Sequence, residues 1–401
     1  VSDGVGSASL IDVAAVRADT RGIPGVIHFN NAGCALPPRI VTDVQKEYLD
    51  QEERLGGYET REAFSDRIDA VYASLATLVG ASPDEIALAD SATRAWDMVF
   101  YGLELAAGDR ILTCRSEYGG NAIAYLHRAR MSGVEIVVID DDATGQIDLD
   151  RLQKELEVPR TRLVAMNHIP TQGGLINPAE RVGGLCREAG VPFLLDACQS
   201  VGQLDLSVDL LQCDVLTGTG RKFLRGPRGT GFAYVRAESM ELFAPAFLDG
   251  RSAVWLGADE YELAPTAIRY ETWEKNYANL LGLGAAVDYA LSLGMSGIES
   301  RVLALGSRLR DSLAEVPRVR LADQGERQCG IVSFTVDGVA PDDVMTTLRR
   351  MRLNVSVSRA RSSRWDLPRR GLASVVRASA HYYNSSEDIE ALVSALSDIQ
   401  G

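Results

Sequence analysis

The sequence predicts an α/β fold: a large unit on a mainly parallel sheet, followed by a smaller C-terminal α/β unit. Three observations carry this. From about residue 70, short apolar runs alternate regularly with amphipathic helical stretches. The runs are apolar throughout, as strands are when helices cover both faces of a parallel sheet. After about residue 286 the rhythm changes to longer helices around fewer strands.

The elements follow in order. Residues 67–79 form an amphipathic helix stopped by Gly80, a residue suited to the left-handed position past a helix end. Residues 85–89 are a short apolar strand, 95–105 a helix and 109–113 a strand. A helix over 121–132, closed by Gly133, leads to a strand at 134–139. The pattern repeats with a helix at 149–157, a strand at 162–166, a helix at 180–189 closed by Gly190, and a strand at 191–196. A connector at 204–214 precedes strands at 215–217 and 231–235. A long helix begins after the segment 280–286. The last unit reads as helix 302–313, strand 330–336, helix 341–351, strand 375–379 and helix 387–397. The division is a large domain over residues 26–275 and a small domain from 1–25 and 276–401.

The 401 residues suit two or three folding units. At 46% hydrophobic and 24% charged, the chain is neither collagenous nor a disordered tail. Its 41 Lys+Arg against 55 Asp+Glu give a net charge of -14, which repels phosphate backbones and anionic membranes. Nucleic acid and membrane are therefore not expected partners. The six cysteines form no C-x-x-C pair and no disulfide framework; Cys114, Cys186, Cys198 and Cys329 are expected to be buried thiols. Residues 1–15 lack the basic and apolar regions of a signal peptide, so a cytoplasmic location is expected. No metal-ligand spacing is present.

Ligands of such sheets bind beyond the carboxyl ends of the strands, so the polar residues there carry the chemistry. The strand at 191–196 ends in Asp196, within Asp196-Ala-Cys-Gln199. Lys222 lies in a glycine-rich turn on the next strand connection. Taken alone, the pair describes a structural ion pair. It also suits pyridoxal phosphate, which needs a lysine for its Schiff base and an acid to keep the ring nitrogen protonated. The segment 89–95, between a strand and a helix, offers free N–H groups to a phosphate or simply an N-cap at Ser91 or Thr93. Arg377 stands in a short apolar strand, where an unpaired guanidinium is costly.

These residues resemble the class V aminotransferase family of fold-type I pyridoxal-phosphate enzymes. The resemblance rests on Asp196-Ala-Cys-Gln199, Thr219-Gly-Arg-Lys222 and Gly226-Pro-Arg-Gly-Thr-Gly231, and it runs from about Ile27 to Glu390. It implies a mainly parallel seven-stranded sheet, pyridoxal 5'-phosphate as cofactor, and a homodimer with active sites at the subunit interface. It makes Lys222 the Schiff-base lysine and proton carrier, with Asp196 on the pyridine nitrogen and Tyr118 stacked on the ring. Gln199 and either Thr171 or Gln172 meet the ring hydroxyl. Ala92, Thr93, Thr219 and Arg221 bind the phosphate, Arg221 replacing a frequent histidine. Arg377 grips the substrate carboxylate. Asn31 lies near the substrate, and Tyr58 and Trp273 reach a site across the dimer or line the pocket. Arg359, Arg361 and Arg364 form either a solvated face or, through one of them such as Arg359, a contact to a second acidic group.

The resemblance also bears on the reaction. Cysteine desulfurases of this family need a nucleophilic cysteine on the loop before the carboxylate-binding arginine, and residues 354–377 contain none. The Gly-Gly-Tyr motif at Tyr58, the Glu-Tyr-Gly-x-Asn motif at Tyr118 and the Arg-Lys motif at Lys222 are similar to those of cysteine S-conjugate and sulfoxide C–S lyases. The expected reaction is β-elimination to thiol, pyruvate and ammonia. The alternatives are decarboxylation-dependent oxidative deamination of an S-substituted cysteine in lincosamide-like secondary metabolism, amino transfer, or epimerisation. An epimerase would need a second base, for which Tyr118, His168 or Tyr58 are the candidates. A DNA-binding regulator would carry a basic helix-turn-helix, and no such segment exists here.

Overall fold

The computed structural model describes residues 11–399. The expectations for the N-terminal residues therefore lie outside the described chain as far as Leu10. The seven-stranded sheet has the order Ile86–Ala89, Gly231–Val235, Val215–Thr219, Phe193–Asp196, Thr161–Asn167, Arg110–Cys114, Glu135–Ile139. Gly231–Val235 runs antiparallel to both neighbours, and every other pair is parallel.

Side chains alternate across this sheet, as a period of two requires. Leu112, Val164, Leu195 and Leu216 enter one core, closed by Leu75, Leu152, Val182 and Leu283 from covering helices. Ile111, Leu163, Leu194 and Val215 enter the other, closed by Trp96, Phe100 and Tyr125. Both faces are thus dry, which is why these strands carry no polar alternation.

The second sheet is antiparallel, in the order Val319–Leu321, Ile331–Val336, Ser374–Ser379, Ser356–Arg359. Its core joins Val332, Phe334 and Val376 to Leu309, Val344 and Leu392 of helices Met295–Ala314, Pro341–Arg350 and Ser386–Ser397. A parallel pair, Ile27–His28 with Leu353–Asn354, ties the N-terminal region to this unit.

Several elements differ from expectation. The helix expected at 95–105 is Ala92–Phe100, because Ser91 caps it early by accepting the Arg94 N–H, and Leu103 leaves it to bridge Phe243. The long helix starts at Tyr277, not after 286: Asn276 accepts the Asn279 N–H. Gly282 and Gly284 lie inside it as sites of close packing. A Cβ on Gly284 would stand 2.9 Å from Val71, and one on Gly282 would stand 2.6 Å from Pro227. This helix packs against Arg39–Leu55 and Ser65–Val79, so packing crosses the boundary expected at residue 275. The expected loop at 356–365 begins as the strand Ser356–Arg359. Helix Arg39–Leu55 and the hairpin Ala253–Gly257 with Glu260–Leu263 were not expected. Among the described residues, no single helix is long and apolar enough to cross a membrane.

Candidate active site

A cleft opens where the parallel strands end. It is lined by Ala92, Thr93, Tyr118, Thr171, Asp196, Gln199, Thr219, Arg221 and Lys222, together with Ser91, Trp96, Asn121, Asn167, Ile169 and Cys198. The sheet register explains the convergence: Asn167 lies beside Asp196, and Asp196 beside Thr217, so neighbouring strands present polar residues at one level. Tyr118 and Ala92 come from the segments leading into the next helices.

Lys222 sits in the turn between Val215–Thr219 and the reversed strand Gly231–Val235. Burial holds its ammonium below the ordinary lysine pKa, although Cys198 and Asp196 pull the other way. It makes no ion pair among the described residues. An amine so placed favours the neutral, nucleophilic form. The turn itself is bolted down by Arg225, which is fully buried at φ 62°. Its guanidinium donates to the Leu36 carbonyl at 2.8 Å, to Thr20 Oγ1 at 2.6 Å and to the Tyr382 hydroxyl at 3.0 Å. It also lies over the Tyr382 and Tyr383 rings. His381 Nε2 meets the Phe223 carbonyl at 2.9 Å.

Asp196 accepts one donor on each oxygen: the Cys198 N–H at 2.9 Å and Asn121 Nδ2 at 3.0 Å. Gln199 Nε2 donates to the Ala32 carbonyl at 3.1 Å and to Thr171 Oγ1 at 3.3 Å. Thr219 donates to the Thr230 carbonyl, and Arg221 to that of Gly33. Arg377 is buried without a carboxylate partner among the described residues. Its guanidinium donates to Ser356 Oγ at 3.1 Å and to Thr171 Oγ1 at 2.8 Å. Burial and the nearby charge of Arg221 push Arg377 down to about 10, so it stays cationic near neutrality.

Four groups of expected residues lie elsewhere. Gln172 turns away from the cleft, donating to Asp366 at 3.0 Å and to the Ser116 carbonyl at 3.3 Å, which leaves Thr171 at the wall. Asn31 is fully buried and donates to the Ser379 carbonyl at 2.7 Å, so its amide joins the two ends of the chain. Arg359 pairs with Asp342, and Arg361 and Arg364 are exposed. Tyr58 and Trp273 meet in a different cleft, beside Arg61, Arg251 and Lys275. Behind them Glu271 has no exposed side-chain surface and holds Arg251, Lys275 and the Tyr72 hydroxyl. Of the cysteines expected to be buried, Cys198 is instead partly exposed as a residue at the cleft wall, although its thiol is shielded from solvent.

The residues present fit pyridoxal phosphate. Two buried polar atoms of cleft-lining residues, Gln199 Oε1 and Trp96 Nε1, lack protein partners. The N-terminus of helix Ala92–Phe100 opens toward Thr219 and Arg221, a cationic and N–H-rich corner for a phosphate. Lys222 and Asp196 share the same small space. The family model for aminotransferase class-V matches residues 26–392, and the chain belongs to that family. Its fold is that of the fold-type I pyridoxal-phosphate enzymes, and pyridoxal 5'-phosphate is its cofactor.

The chain is similar to a probable cysteine desulfurase of Synechocystis sp., 30% identical over 96% of this chain and 93% of that protein. It is also similar to one of Pyrococcus abyssi, 28% identical over 96% of both chains. Among solved structures it resembles the apo cysteine desulfurase of Thermococcus onnurineus NA1, with a TM-score of 0.90, 27% identity, and coverage of 98% and 99%. The cystine C–S lyase C-DES in complex with cysteine persulfide has a TM-score of 0.86 at 24% identity, covering 95% and 100%, and shares the fold. These relationships place the chain among enzymes of cysteine-sulfur chemistry.

Asn121, Trp96 and Cys198 line the cleft and Glu117 lies behind it, and sequence reasoning assigned none of them to the site.

Proposed function

We propose that this enzyme cleaves the C–S bond of a cysteine S-conjugate by β-elimination, giving a thiol, pyruvate and ammonia. One observation carries the reading: residues 354–377, which lead into the buried Arg377, hold no cysteine to take up sulfur, so the sulfur leaves with its substituent. Cys329 is fully buried beside the start of strand Ile331–Val336, and burial pushes its thiol up to about 12. Cys198, at the cleft wall, has its thiol raised well above the ordinary value by burial and by Asp196, unlike an activated nucleophile.

Arg377 receives the substrate's α-carboxylate in the bidentate manner a guanidinium favours, supplying the anion its buried charge lacks. Thr171, held by Arg377, forms the wall beside it. Arg221, Thr219 and the N-terminus of helix Ala92–Phe100 would hold the phosphate, and Asp196 would pair with the ring nitrogen. Pyridoxal phosphate held there would supply an electron-poor ring able to stabilise negative charge at the substrate's α-carbon. The Lys222 amine takes the α-proton, the pair moves to form Cα=Cβ, and the β-sulfur departs as a thiolate. A thiolate is a good leaving group, so no strong acid is needed beside it. Released aminoacrylate then takes up water and yields pyruvate and ammonia.

The exposed side chains of Tyr58 and Trp273, and of Val254, Trp255 and Leu256 on the hairpin, support a homodimer. S-substituted cysteines occur in natural-product assembly, a setting that suits this substrate class. The test is to incubate holoenzyme and Lys222→Ala with several cysteine S-conjugates and sulfoxides. Stoichiometric pyruvate and thiol from the wild type, absent from the variant, supports elimination. Carbon dioxide with an aldehyde, a keto acid formed only beside a second keto acid, or persulfide on the protein would each replace this reading.

A further inference from the structure

Behind Asp196 lies a buried polar group that the reaction above does not use. Glu117 is 2% exposed, yet no cation touches it among the described residues. Its carboxyl group is surrounded by donors instead. Oε1 accepts the Tyr118 N–H at 2.7 Å and Asn121 Nδ2 at 3.1 Å. Oε2 accepts Thr113 Oγ1 at 3.0 Å and faces the Tyr125 hydroxyl at 3.1 Å. The Asn121 amide has two N–H bonds. It places one on Glu117 Oε1 and reaches Asp196 Oδ2 at 3.0 Å with the same nitrogen.

We propose that Glu117 and Asn121 are positioning residues that jointly fix Asp196 and Tyr118, the two side chains read as meeting the cofactor ring. One carboxyl group thereby sets two contacts. Through the Tyr118 backbone it fixes where the helix Gly119–Ser132 starts, and so the root of the Tyr118 ring. Through Asn121 it fixes the plane of the Asp196 carboxylate, whose other oxygen the Cys198 N–H already holds. A carboxylate free to rotate would meet a ring nitrogen in many orientations, and holding both oxygens removes that freedom. Burial and the Asp196 charge push Glu117 up to about 8, so the site disfavours a second charge behind Asp196.

This inference rests on Asp196 facing the ring nitrogen, and the experiment separates the two. Apoprotein is prepared for the wild type, Glu117→Ala, Glu117→Gln, Asn121→Ala, Asn121→Asp and Asp196→Asn. Pyridoxal phosphate is titrated in, and its Kd, its absorption band and the dichroism induced in that band are measured. Thermal melts of each apoprotein report folding. Loss of one buried hydrogen-bond partner raises Kd about tenfold or more, so Glu117→Ala and Asn121→Ala are expected to do so and to alter the dichroism. Glu117→Gln, which keeps the acceptor for Tyr118 and Asn121, stays within about twofold. Asn121→Asp has the same shape but no donor, and gives the same loss even if Asn121→Ala melts early. Unchanged Kd and dichroism in Asn121→Asp, beside a changed Asp196→Asn, overturn the inference alone. An unchanged Asp196→Asn overturns the reading of Asp196 and the inference with it.

Discussion

Arg377 is a cation kept dry for a partner it does not yet have. Its neighbours Ser356 and Thr171 orient the guanidinium but leave its charge unmatched. Arg377→Lys preserves a positive charge and loses the planar fork. We expect KM for the amino-acid substrate to rise by about tenfold to a hundredfold while cofactor absorbance is kept, which steady-state kinetics and a spectrum will check. Glu117 makes a second expectation at this scale. Its folded-state pKa of about 8 lies above the ordinary 4.5, so the folded protein keeps a proton that the unfolded chain has released. The sign follows from linkage: this contribution is complete below the unfolded value and is lost as pH rises from about 4.5 to about 8. Urea unfolding should therefore show wild type losing more stability over that window than Glu117→Gln; equal pH dependence would refute the raised value. At this scale, legibility followed chemistry. Lys222, Asp196 and Arg221 were readable because a motif placed one at a strand end and two in the turn after the next strand, and the cleft holds all three. Glu117 was not, since a lone acid in a loop becomes unusual only when Thr113, Tyr118, Asn121 and Tyr125 close around it.

The turn and the helix start meet through a bare backbone contact. A Cβ on Gly231 would stand 2.3 Å from the Ala92 nitrogen and 2.4 Å from the Ser91 carbonyl carbon. Neither atom belongs to a flexible side chain, so Gly231→Ala must push the first turn of helix Ala92–Phe100 away from the reversed strand. We expect a cost of about 1–3 kcal/mol and a cofactor Kd raised by about tenfold, measured by denaturant unfolding and by titration of the apoprotein. The parallel strands were legible from apolar runs bounded by Gly80, Gly133 and Gly190, because all three glycines adopt the left-handed position that ends a helix. Helix Tyr277–Leu293 was misplaced for an equally physical reason. Gly282 and Gly284 lower the helical propensity of the segment 280–286, but they are the surfaces on which two other helices lean.

For the whole molecule, the exposed aromatic residues set the expectation. Tyr58 is 77% exposed, Trp273 58% and Trp255 79%, which is a high price in unfavourable hydration for a free monomer. Light scattering should give twice the chain mass, and the double variant Trp255→Glu, Trp273→Glu should give the monomer; a wild-type monomer would remove the dimer from this picture. The architecture of two sheets was legible because its rhythm is local. The antiparallel hairpin at Ala253–Gly257 was not, since four of its five residues are partly or fully exposed apolar side chains that look like neither core nor turn.

The Arg225 bolt has a temporal meaning as well. It joins the lysine-bearing turn to Thr20 and Leu36 on one side and to Tyr382 on the other, residues 157 positions later in synthesis than Arg225 itself. A ribosome-bound chain that has not yet made residue 382 leaves that guanidinium without its final acceptor, and the reactive amine unanchored. The turn is therefore complete only when residue 382 is in place, and we expect Tyr382→Phe, which removes that acceptor, to loosen the turn and weaken retention of pyridoxal phosphate, as titration of the apoprotein will check.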